Sequence, residues 1–206
     1  DTRRPTPIIL GHEASGTIIG GSRDGTLVTI NPLNGCGKCA SCLAGKSNIC
    51  ADRQIISMPP RAGAFADMVA IPLENLLVVP RQDLLKPAAL TEPLACGWHA
   101  ARLGLRRQDG PVSGLTCVVL GGGAIGVGAA LCLSAMGVHD ITLIEANPLR
   151  LETLHGIAGF EATDGNDASA PVPSSADLVI DGVGFASTRT SACELAKPGG
   201  VICHIG

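Results

Sequence analysis

Residues 115–126 read Leu115-Thr-Cys-Val-Val-Leu-Gly-Gly-Gly-Ala-Ile-Gly126, a short β-branched apolar run that leads directly into a glycine-rich loop. The run is typical of a buried strand. Residues 124–136 follow without a single charge and with good helix formers, which predicts a helix buried on most sides. A second strand is predicted over residues 141–144. The segment therefore indicates the strand, loop, helix and strand of an α/β fold.

The glycines at 121, 123 and 126 form the pattern G-x-G-x-x-G between a strand and a helix. The first glycine allows a tight turn, the second lets the backbone approach a pyrophosphate, and the third lets the helix pack on the strand. The helix N-terminus then offers its N–H groups to the phosphates. A glycine-rich turn in another kind of α/β protein is the alternative.

An acidic residue, Glu145, follows the second predicted strand about 20 residues beyond the glycine motif. Its carboxylate is placed to accept the ribose hydroxyls of the adenosine half, and its charge would repel a 2′-phosphate. The sequence therefore favours NAD over NADP. The cofactor-binding residues predicted from this motif are Gly121, Gly123, Ala124, Ile125, Gly126 and Glu145.

The rest of the second half continues the alternation of strands and helices. Asn147-Pro148 is typical of a helix start, and the polar stretch 163–175 is predicted to be a loop. Strands are predicted over 177–181 and 201–205, with a helix over 187–196 between them. The sequence Lys-Pro-Gly-Gly at 197–200 is predicted to end that helix. This order predicts right-handed crossovers and a parallel sheet, with ligands at the carboxyl ends of its strands.

Four of the nine cysteines have the spacing of a metal site, C-x2-C-x2-C-x7-C, formed by Cys36, Cys39, Cys42 and Cys50. A tetrahedral zinc ion with four thiolate ligands leaves no position open, so such a site is structural. Gly35, Gly37 and Gly45 are expected to supply its tight turns. Four free thiols in a loop are the alternative. The other five are predicted to be small buried hydrophobes, although for Cys96 a further role stays open.

The first ninety residues show short alternating runs separated by Gly, Pro and Asn, which predicts small antiparallel strands over 16–19, 27–30 and 65–71. Gly11-His12-Glu13 stands at the predicted start of a strand. A histidine beside a glutamate is often only a surface pair. Glu92-Pro93 opens a predicted helix over residues 94–103 with proline at its first position.

Composition excludes several classes of protein. A net charge of −3 without a basic run argues against a nucleic-acid partner, and 46% apolar residues argue against a disordered chain. Residues 117–138 are uncharged and long enough to cross a bilayer, but six glycines interrupt them and no anchoring residues flank them. We therefore expect no membrane span. Because no signal-type segment is visible, we expect a cytoplasmic protein.

The order of these motifs (Gly-His-Glu, the four-cysteine cluster, Glu-Pro-Leu, and G-x-G-x-x-G) resembles the zinc-dependent medium-chain dehydrogenase/reductase family, the alcohol dehydrogenase-like enzymes. The segment Thr91-Glu-Pro-Leu-Ala-Cys-Gly-Trp-His-Ala100 is most similar to the polyol branch, which contains sorbitol and butanediol dehydrogenases. The resemblance implies an α/β Rossmann-type parallel sheet and an N-terminal, mostly-β GroES-like catalytic domain. It places a zinc-binding catalytic domain at residues 1–93 and an NAD-binding domain at residues 94–206.

The resemblance also assigns residues. His12 matches the catalytic-zinc histidine, Glu13 the adjacent glutamate, and Glu92 the acid that ligates zinc or hydrogen-bonds its water. The four cysteines match the structural-zinc lobe, and Val183 lies in a turn that lines the nicotinamide half. Members of the family begin earlier, with a zinc-ligating cysteine and a proton-relay hydroxyl, and continue with a sixth strand. Both domains are therefore expected to be incomplete, the first at its N-terminus and the second at its C-terminus.

The implied activity is a zinc-dependent transfer of a hydride from a secondary alcohol or polyol to NAD, which gives a ketone. The implied partners are a small-molecule alcohol or polyol and, when the protein is complete, further copies of the chain. Nucleic acid and membranes are not expected. Three alternatives stay open: another alcohol or threonine dehydrogenase branch, a truncated and catalytically silent zinc-binding fragment, and a zinc-knuckle interaction module. The lack of a basic or aromatic surface makes the last the weakest.

Overall fold

The computed structural model describes residues 5–166 and 170–206. The chain divides into two compact units, Asp1–Glu92 and Pro93–Gly206. Within the described residues, no helix is both long enough and apolar enough to cross a bilayer. Short 3-10 helices connect the elements of both units; they span Gly21–Arg23, Ser47–Ile49, Leu73–Asn75, Gln82–Leu84, Pro87–Leu90 and Val112–Gly114.

The first unit is built from short antiparallel strands. Its elements are β1 (Ser15–Thr17), β2 (Leu27–Ile30), β3 (Leu33–Asn34), the helix α1 (Ala40–Leu43), β4 (Gln54–Ile55) and β5 (Leu76–Val78). One sheet has the order β1-β2-β5, and β3 pairs with β4. The β1–β2 hairpin extends beyond the strand itself, because the Ile18 N–H donates to the Thr26 carbonyl at 3.0 Å. Gly11-His12-Glu13 precedes β1 rather than opening it.

The strand predicted over residues 65–71 is wrong. The chain there is irregular, and the third strand of the sheet is β5, which pairs with β2. Backbone hydrogen bonds tie only the start of the segment to the chain before β1: the N–H of Phe65 donates to the Leu10 carbonyl at 2.9 Å. Because the segment pairs with no strand in the described part of the chain, its apolar alternation buries little, and Phe65 and Met68 stay 77% and 73% exposed.

The second unit contains a five-stranded parallel sheet with the order β10-β9-β6-β7-β8. Its elements, after α2 (Thr91–Leu105), are β6 (Thr116–Leu120), α3 (Ala124–Ala135), β7 (Asp140–Ile144), α4 (Pro148–Leu154), β8 (Glu161–Thr163), β9 (Ala176–Asp181), α5 (Ala186–Leu195) and β10 (Ala196–His204). The predicted parallel sheet is confirmed. Its central strands β6 and β9 carry the core, with Val118, Val119, Val179 and Ile180 fully buried.

Several predicted boundaries move in this unit. Helix α2 begins at Thr91, so Pro93 occupies the first turn, where its missing N–H interrupts no helical hydrogen bond. Residues 197–200, which were predicted to end the preceding helix, lie inside β10. The pairing register of β10 with β9 shifts between Ala196 and Val201, which marks a bulge. The short strand β8 was not predicted, and within the predicted loop 163–175, residues 167–169 lie outside the described residues.

Through its glycines, helix α2 packs closely against α3 and against the sheet. A Cβ on Gly97 of α2 would stand 2.5 Å from the Ala129 nitrogen of α3, and one on Gly104 would stand 2.6 Å from the Leu178 side chain of β9. The prediction that the remaining cysteines are buried holds for Cys117 and Cys132, whereas Cys193 is exposed and Cys96 and Cys203 are half-buried. Cys193 directly follows the buried Ala192 on α5, and adjacent helix positions face different directions.

Candidate metal centres and dinucleotide site

The sulfur atoms of Cys36, Cys39, Cys42 and Cys50 all lie within 4.8 Å of one another. Four thiolates around a zinc ion at 2.3 Å lie about 3.8 Å apart, so the cluster has the dimensions of a closed tetrahedral site. Backbone amides already point at the sulfurs: the N–H of Cys36 donates to Cys50 Sγ at 3.4 Å, and that of Cys39 donates to Cys36 Sγ at 3.4 Å. Such N–H groups favour thiolates.

The electrostatics of the cluster fit a divalent cation. The N–H groups of Lys38 and Cys39 lower the pKa of the Cys36 thiol to about 6. The N–H of Gly37 acts in the same direction on Cys42, but desolvation and the neighbouring thiols raise the pKa of Cys42 to about 11. Within the cluster, the Cys36 thiol is therefore the more acidic of the two. A metal ion would supply the positive charge that deprotonates all four.

Glycine has two separate uses in this lobe. Gly37 and Gly45 have φ values of +74° and +70°, in the left-handed region that favours glycine. Gly35 was expected to supply a turn too, but its use is close packing: an added Cβ would stand 2.9 Å from Cys42 Sγ and 3.0 Å from Ser47 Cβ. By contrast, burial raises the pKa of the Cys117 thiol to about 12, which suits an unreactive core side chain.

We expect Cys50→Ser to lose one zinc equivalent per chain relative to the parent. The serine fits the buried position but replaces the thiolate that completes the cluster. Elemental analysis of the purified proteins measures the zinc content. Cys193→Ser is the matched control, because Cys193 is exposed and lies outside the cluster, and it should keep the parent's zinc. An unchanged zinc content in Cys50→Ser would contradict the assignment.

A second cluster of potential ligands lies in the first unit. One ligand atom each of His12, Glu13 and Glu92 lies within 4.8 Å of the others. Glu92 comes from the first turn of α2, whereas His12 and Glu13 follow the turn at Gly11, which has a φ of +96°. An added Cβ on Gly11 would also stand 2.5 Å from the Phe65 ring, so a larger residue there would need both a strained backbone and a shift of that ring.

The donor set of this second cluster fits a catalytic zinc ion. One imidazole and two carboxylates are zinc ligands, and three protein ligands leave a position open for water or substrate. Glu13 is exposed, and His12 and Glu92 are half-buried, so the cluster is accessible from solvent. The site differs in this respect from the four-cysteine cluster, where Cys50 is fully buried.

The glycine loop lies between β6 and α3 and is shaped by two of its three motif glycines. Gly121 has a φ of +94°, and its N–H donates to the Ile144 carbonyl at 2.8 Å. An added Cβ on Gly126 would overlap the Gly121 carbonyl oxygen. Gly123 is different: an added Cβ would meet no atom of the described chain within 4 Å. The space beside Gly123 can therefore take a ligand atom.

The N-terminus of α3 is available to the same ligand. Its N-cap is Gly123, and no described side chain caps it. Ala124 is exposed and Ile125 is half-buried, so the first turn of the helix borders solvent. Uncapped N–H groups and the positive end of the helix dipole bind phosphate groups well. The loop and helix together therefore have the features of a pyrophosphate site.

Glu145 directly follows β7 and faces this loop from a buried position, with 5% of its surface exposed. Its Oε2 accepts hydrogen bonds from the Gly122 N–H and from Arg150 Nη1, both at 2.8 Å, and its Oε1 accepts from the Asn147 N–H at 2.7 Å. Burial raises the pKa of Glu145, but these three donors outweigh it and hold the pKa below its ordinary value. The carboxylate is therefore ionised at neutral pH.

Arg150 and His204 were not predicted in this region, and Asp181 was expected only as the start of the loop that lines the nicotinamide half. Arg150 pairs with Glu145, and the available signal was a basic residue five positions later on α4. Asp181 ends the buried strand β9, and its Oδ1 accepts hydrogen bonds from the N–H groups of Val183 and Gly184 at 3.0 Å each. His204 ends β10, and its Nδ1 lies 3.0 Å from Asp181 Oδ2. An acid at the end of an apolar strand was the signal for Asp181.

The structure thus gathers the predicted residues into three groups. The cysteines form one cluster, His12 with Glu13 and Glu92 forms another, and Glu145 and Val183 border the glycine loop. Val183 lies against the loop: its Cγ2 methyl group occupies the space that a Cβ on Gly121 would need. The turn after β9 and the loop after β6 are therefore in direct contact.

Comparison with known proteins gives consistent similarities. Residues 1–81 match the alcohol dehydrogenase GroES-like domain, which confirms the predicted fold of the N-terminal region. Sorbitol dehydrogenase of Bacillus subtilis (strain 168) is 36% identical over 152 residues, which cover 71% of this chain and 42% of that protein.

Solved structures resemble the chain over almost all of its length. A structure described as a zinc-binding dehydrogenase of Sinorhizobium meliloti 1021, bound to NADP, has a TM-score of 0.84 at 27% identity and covers 98% of this chain and 62% of that one. Galactitol-1-phosphate dehydrogenase of Escherichia coli has a TM-score of 0.83 at 25% identity, with 98% and 60% covered. The chain therefore spans less than two thirds of the length of these relatives.

Proposed function

The chain belongs to the zinc-dependent medium-chain dehydrogenase family, and from this premise we propose that the protein transfers a hydride from a secondary alcohol or polyol to NAD, giving a ketone. One observation carries the proposal: His12, Glu13 and Glu92 bring three ligand atoms within 4.8 Å of one another in a chain that also holds an open phosphate-binding loop. Polyols are favoured because sorbitol and galactitol-1-phosphate dehydrogenases are among the similar proteins.

Separate groups of residues in the chain would bind the metal ions and the dinucleotide in this reaction. His12, Glu13 and Glu92 would hold a zinc ion, which when bound acts as a Lewis acid and lowers the pKa of a substrate hydroxyl. The four cysteines would hold a second, structural zinc ion. The amides of the loop and of the first turn of α3 would bind the phosphates of a dinucleotide, which when bound would supply a nicotinamide ring as hydride acceptor. The residues supply position and charge, and the cofactor supplies the redox chemistry.

NAD is proposed over NADP because of the charge state of Glu145. The ionised carboxylate faces the loop, where a 2′-phosphate on the adenosine ribose would add a second anion. Arg150 offsets part of this repulsion, since its guanidinium lies 2.8 Å from Glu145 Oε2. The similar structure from Sinorhizobium meliloti holds NADP, so cofactor choice is a direct test of this residue pair.

The remaining proposals follow from the family resemblance. We propose residues 1–93 as the zinc-binding catalytic domain and residues 94–206 as the cofactor domain. A cytoplasmic location and a homo-oligomeric assembly are proposed on the same ground.

The proposal is tested by measuring the reduction of NAD and NADP with a panel of alcohols. The panel contains sorbitol, 2,3-butanediol, threonine and primary alcohols, and the protein is loaded with zinc beforehand. We expect reduction with at least one polyol, at a kcat/KM at least about tenfold higher for NAD than for NADP. Preference for threonine or a primary alcohol would place the protein in another branch. Binding of zinc and nucleotide without any turnover would show a catalytically silent chain.

A further inference from the structure

Two side-chain contacts join the neighbouring parallel strands β9 and β10, one at each end: an ion pair and a histidine–carboxylate hydrogen bond. At the amino end, Lys197 Nζ contacts Asp177 Oδ1. At the carboxyl end, His204 Nδ1 lies 3.0 Å from Asp181 Oδ2. The carboxyl ends of parallel strands are where α/β proteins bind ligands. Each contact joins an aspartate of β9 to a basic side chain of β10, but only the contact between His204 and Asp181 lies at the end of the sheet where the dinucleotide site is proposed.

The Asp181 carboxylate is fully buried and has two separate tasks. Its Oδ1 accepts the N–H groups of Val183 and Gly184, which closes the turn after β9, and its Oδ2 accepts from His204. Burial raises the pKa of Asp181, but the two backbone N–H groups, the His204 ring and the Thr188 hydroxyl lower it further than burial raises it. Because the carboxylate is ionised, the Nδ1 of His204 carries the hydrogen of this bond.

The turn at residues 182–184 is packed against the glycine loop. An added Cβ on Gly182 would stand 3.2 Å from the Gly126 nitrogen and 3.3 Å from its Cα, and the Val183 methyl group lies over Gly121. On the other side, the N–H groups of Ile205 and Gly206 donate to the Asp181 carbonyl at 3.0 Å and 3.3 Å. A shift of this turn would therefore move the backbone that shapes the phosphate site.

We propose that His204 is a positioning residue of the dinucleotide site, which acts through Asp181 to hold the turn at 182–184 against the glycine loop. The proposal rests on the proposed function in so far as the ligand is a nicotinamide dinucleotide. The part that concerns the turn itself does not depend on it. A leucine at position 204 removes the donor, whereas an asparagine keeps a side-chain N–H near the place of Nδ1.

The test compares His204→Leu, His204→Asn and Lys197→Leu in the full chain. Titration with NADH, and with NADPH in parallel, gives the Kd through nucleotide fluorescence. His204→Leu should raise the Kd about tenfold, the size expected for one lost hydrogen bond to a charged group. His204→Asn should stay within about twofold of the parent. Lys197→Leu breaks the other pair on the same strands and should lower the melting temperature without changing the Kd.

Amide hydrogen exchange on the nucleotide-free chain separates this proposal from the proposed function. His204→Leu should speed exchange at Val183 and Gly184 about tenfold, because their acceptor is no longer fixed, and Lys197→Leu should not. Unchanged exchange in His204→Leu overturns the positioning role. A Kd that stays within twofold in a folded His204→Leu overturns its link to the ligand. If the parent binds neither nucleotide, the proposed function fails while the exchange rates still decide what His204 does.

Discussion

Replacing His12 by alanine should lower kcat for polyol oxidation at least about 10³-fold, equivalent to about 4 kcal/mol of transition-state stabilisation. The substitution removes the imidazole from the three-ligand cluster and leaves only two carboxylates, one of them exposed. The glycine loop shares no residue with that cluster. The Kd for NADH should therefore stay within about twofold of the parent.

The control for this result is His155→Ala, since His155 is an exposed histidine that follows α4 and belongs to neither cluster. It should keep the parent's turnover. Zinc analysis adds a second readout: His12→Ala should lose zinc from the His12 cluster and keep the cysteine-bound zinc. Turnover within about tenfold of the parent would show that His12 has no catalytic role.

Gly126→Ala should lower the free energy of unfolding by at least about 3 kcal/mol. The new Cβ would overlap the Gly121 carbonyl oxygen. Because this oxygen belongs to the backbone of the same turn, it cannot move away without distorting that turn. Gly123→Ala is the matched substitution. Its φ of −77° suits alanine and its Cβ meets no described atom within 4 Å, so stability should hold or rise slightly.

The two glycine variants should differ in ligand binding as well. The Cβ of Gly123→Ala fills the space proposed for a phosphate, so the Kd for NADH should rise about tenfold in a protein that melts like the parent. Urea denaturation and NADH titration measure the two quantities. Unchanged NADH binding in Gly123→Ala would show that the loop does not hold the pyrophosphate.

The elements that were predictable from sequence are those whose signals are local. Strand β6, its loop and α3 are contiguous, so apolar pattern, glycine spacing and helix start support one another within about 20 residues. The cysteine cluster was predictable for the same reason. The stretch 65–71 has the alternation of a strand, but alternation does not say whether a partner strand exists, and β5 pairs with β2 instead.

The features that were missed depend on contacts between distant segments. Asp181 and His204 are partners only because β9 and β10 lie side by side in parallel register, which no short window of sequence reveals. The pairing of His12 with Glu92 was suggested by family resemblance, not by spacing, since the two are far apart in the chain. The pairing of Arg150 with Glu145 has a sequence signal, because the two residues are only five positions apart. It still depends on the direction that α4 takes after β7.

Strand β10 also has a consequence for how the sheet can be extended. Among the described strands it lies at the edge of its sheet, so one side of its backbone has no sheet neighbour there. Unpaired edges invite strands of other molecules, and bulges and lysines discourage them. The amino half of β10 has both a bulge and Lys197, whereas Val201, Ile202 and Cys203 carry neither. The carboxyl half of this edge therefore leaves its backbone groups open to a further strand, which is what the sixth strand implied by the family resemblance would need.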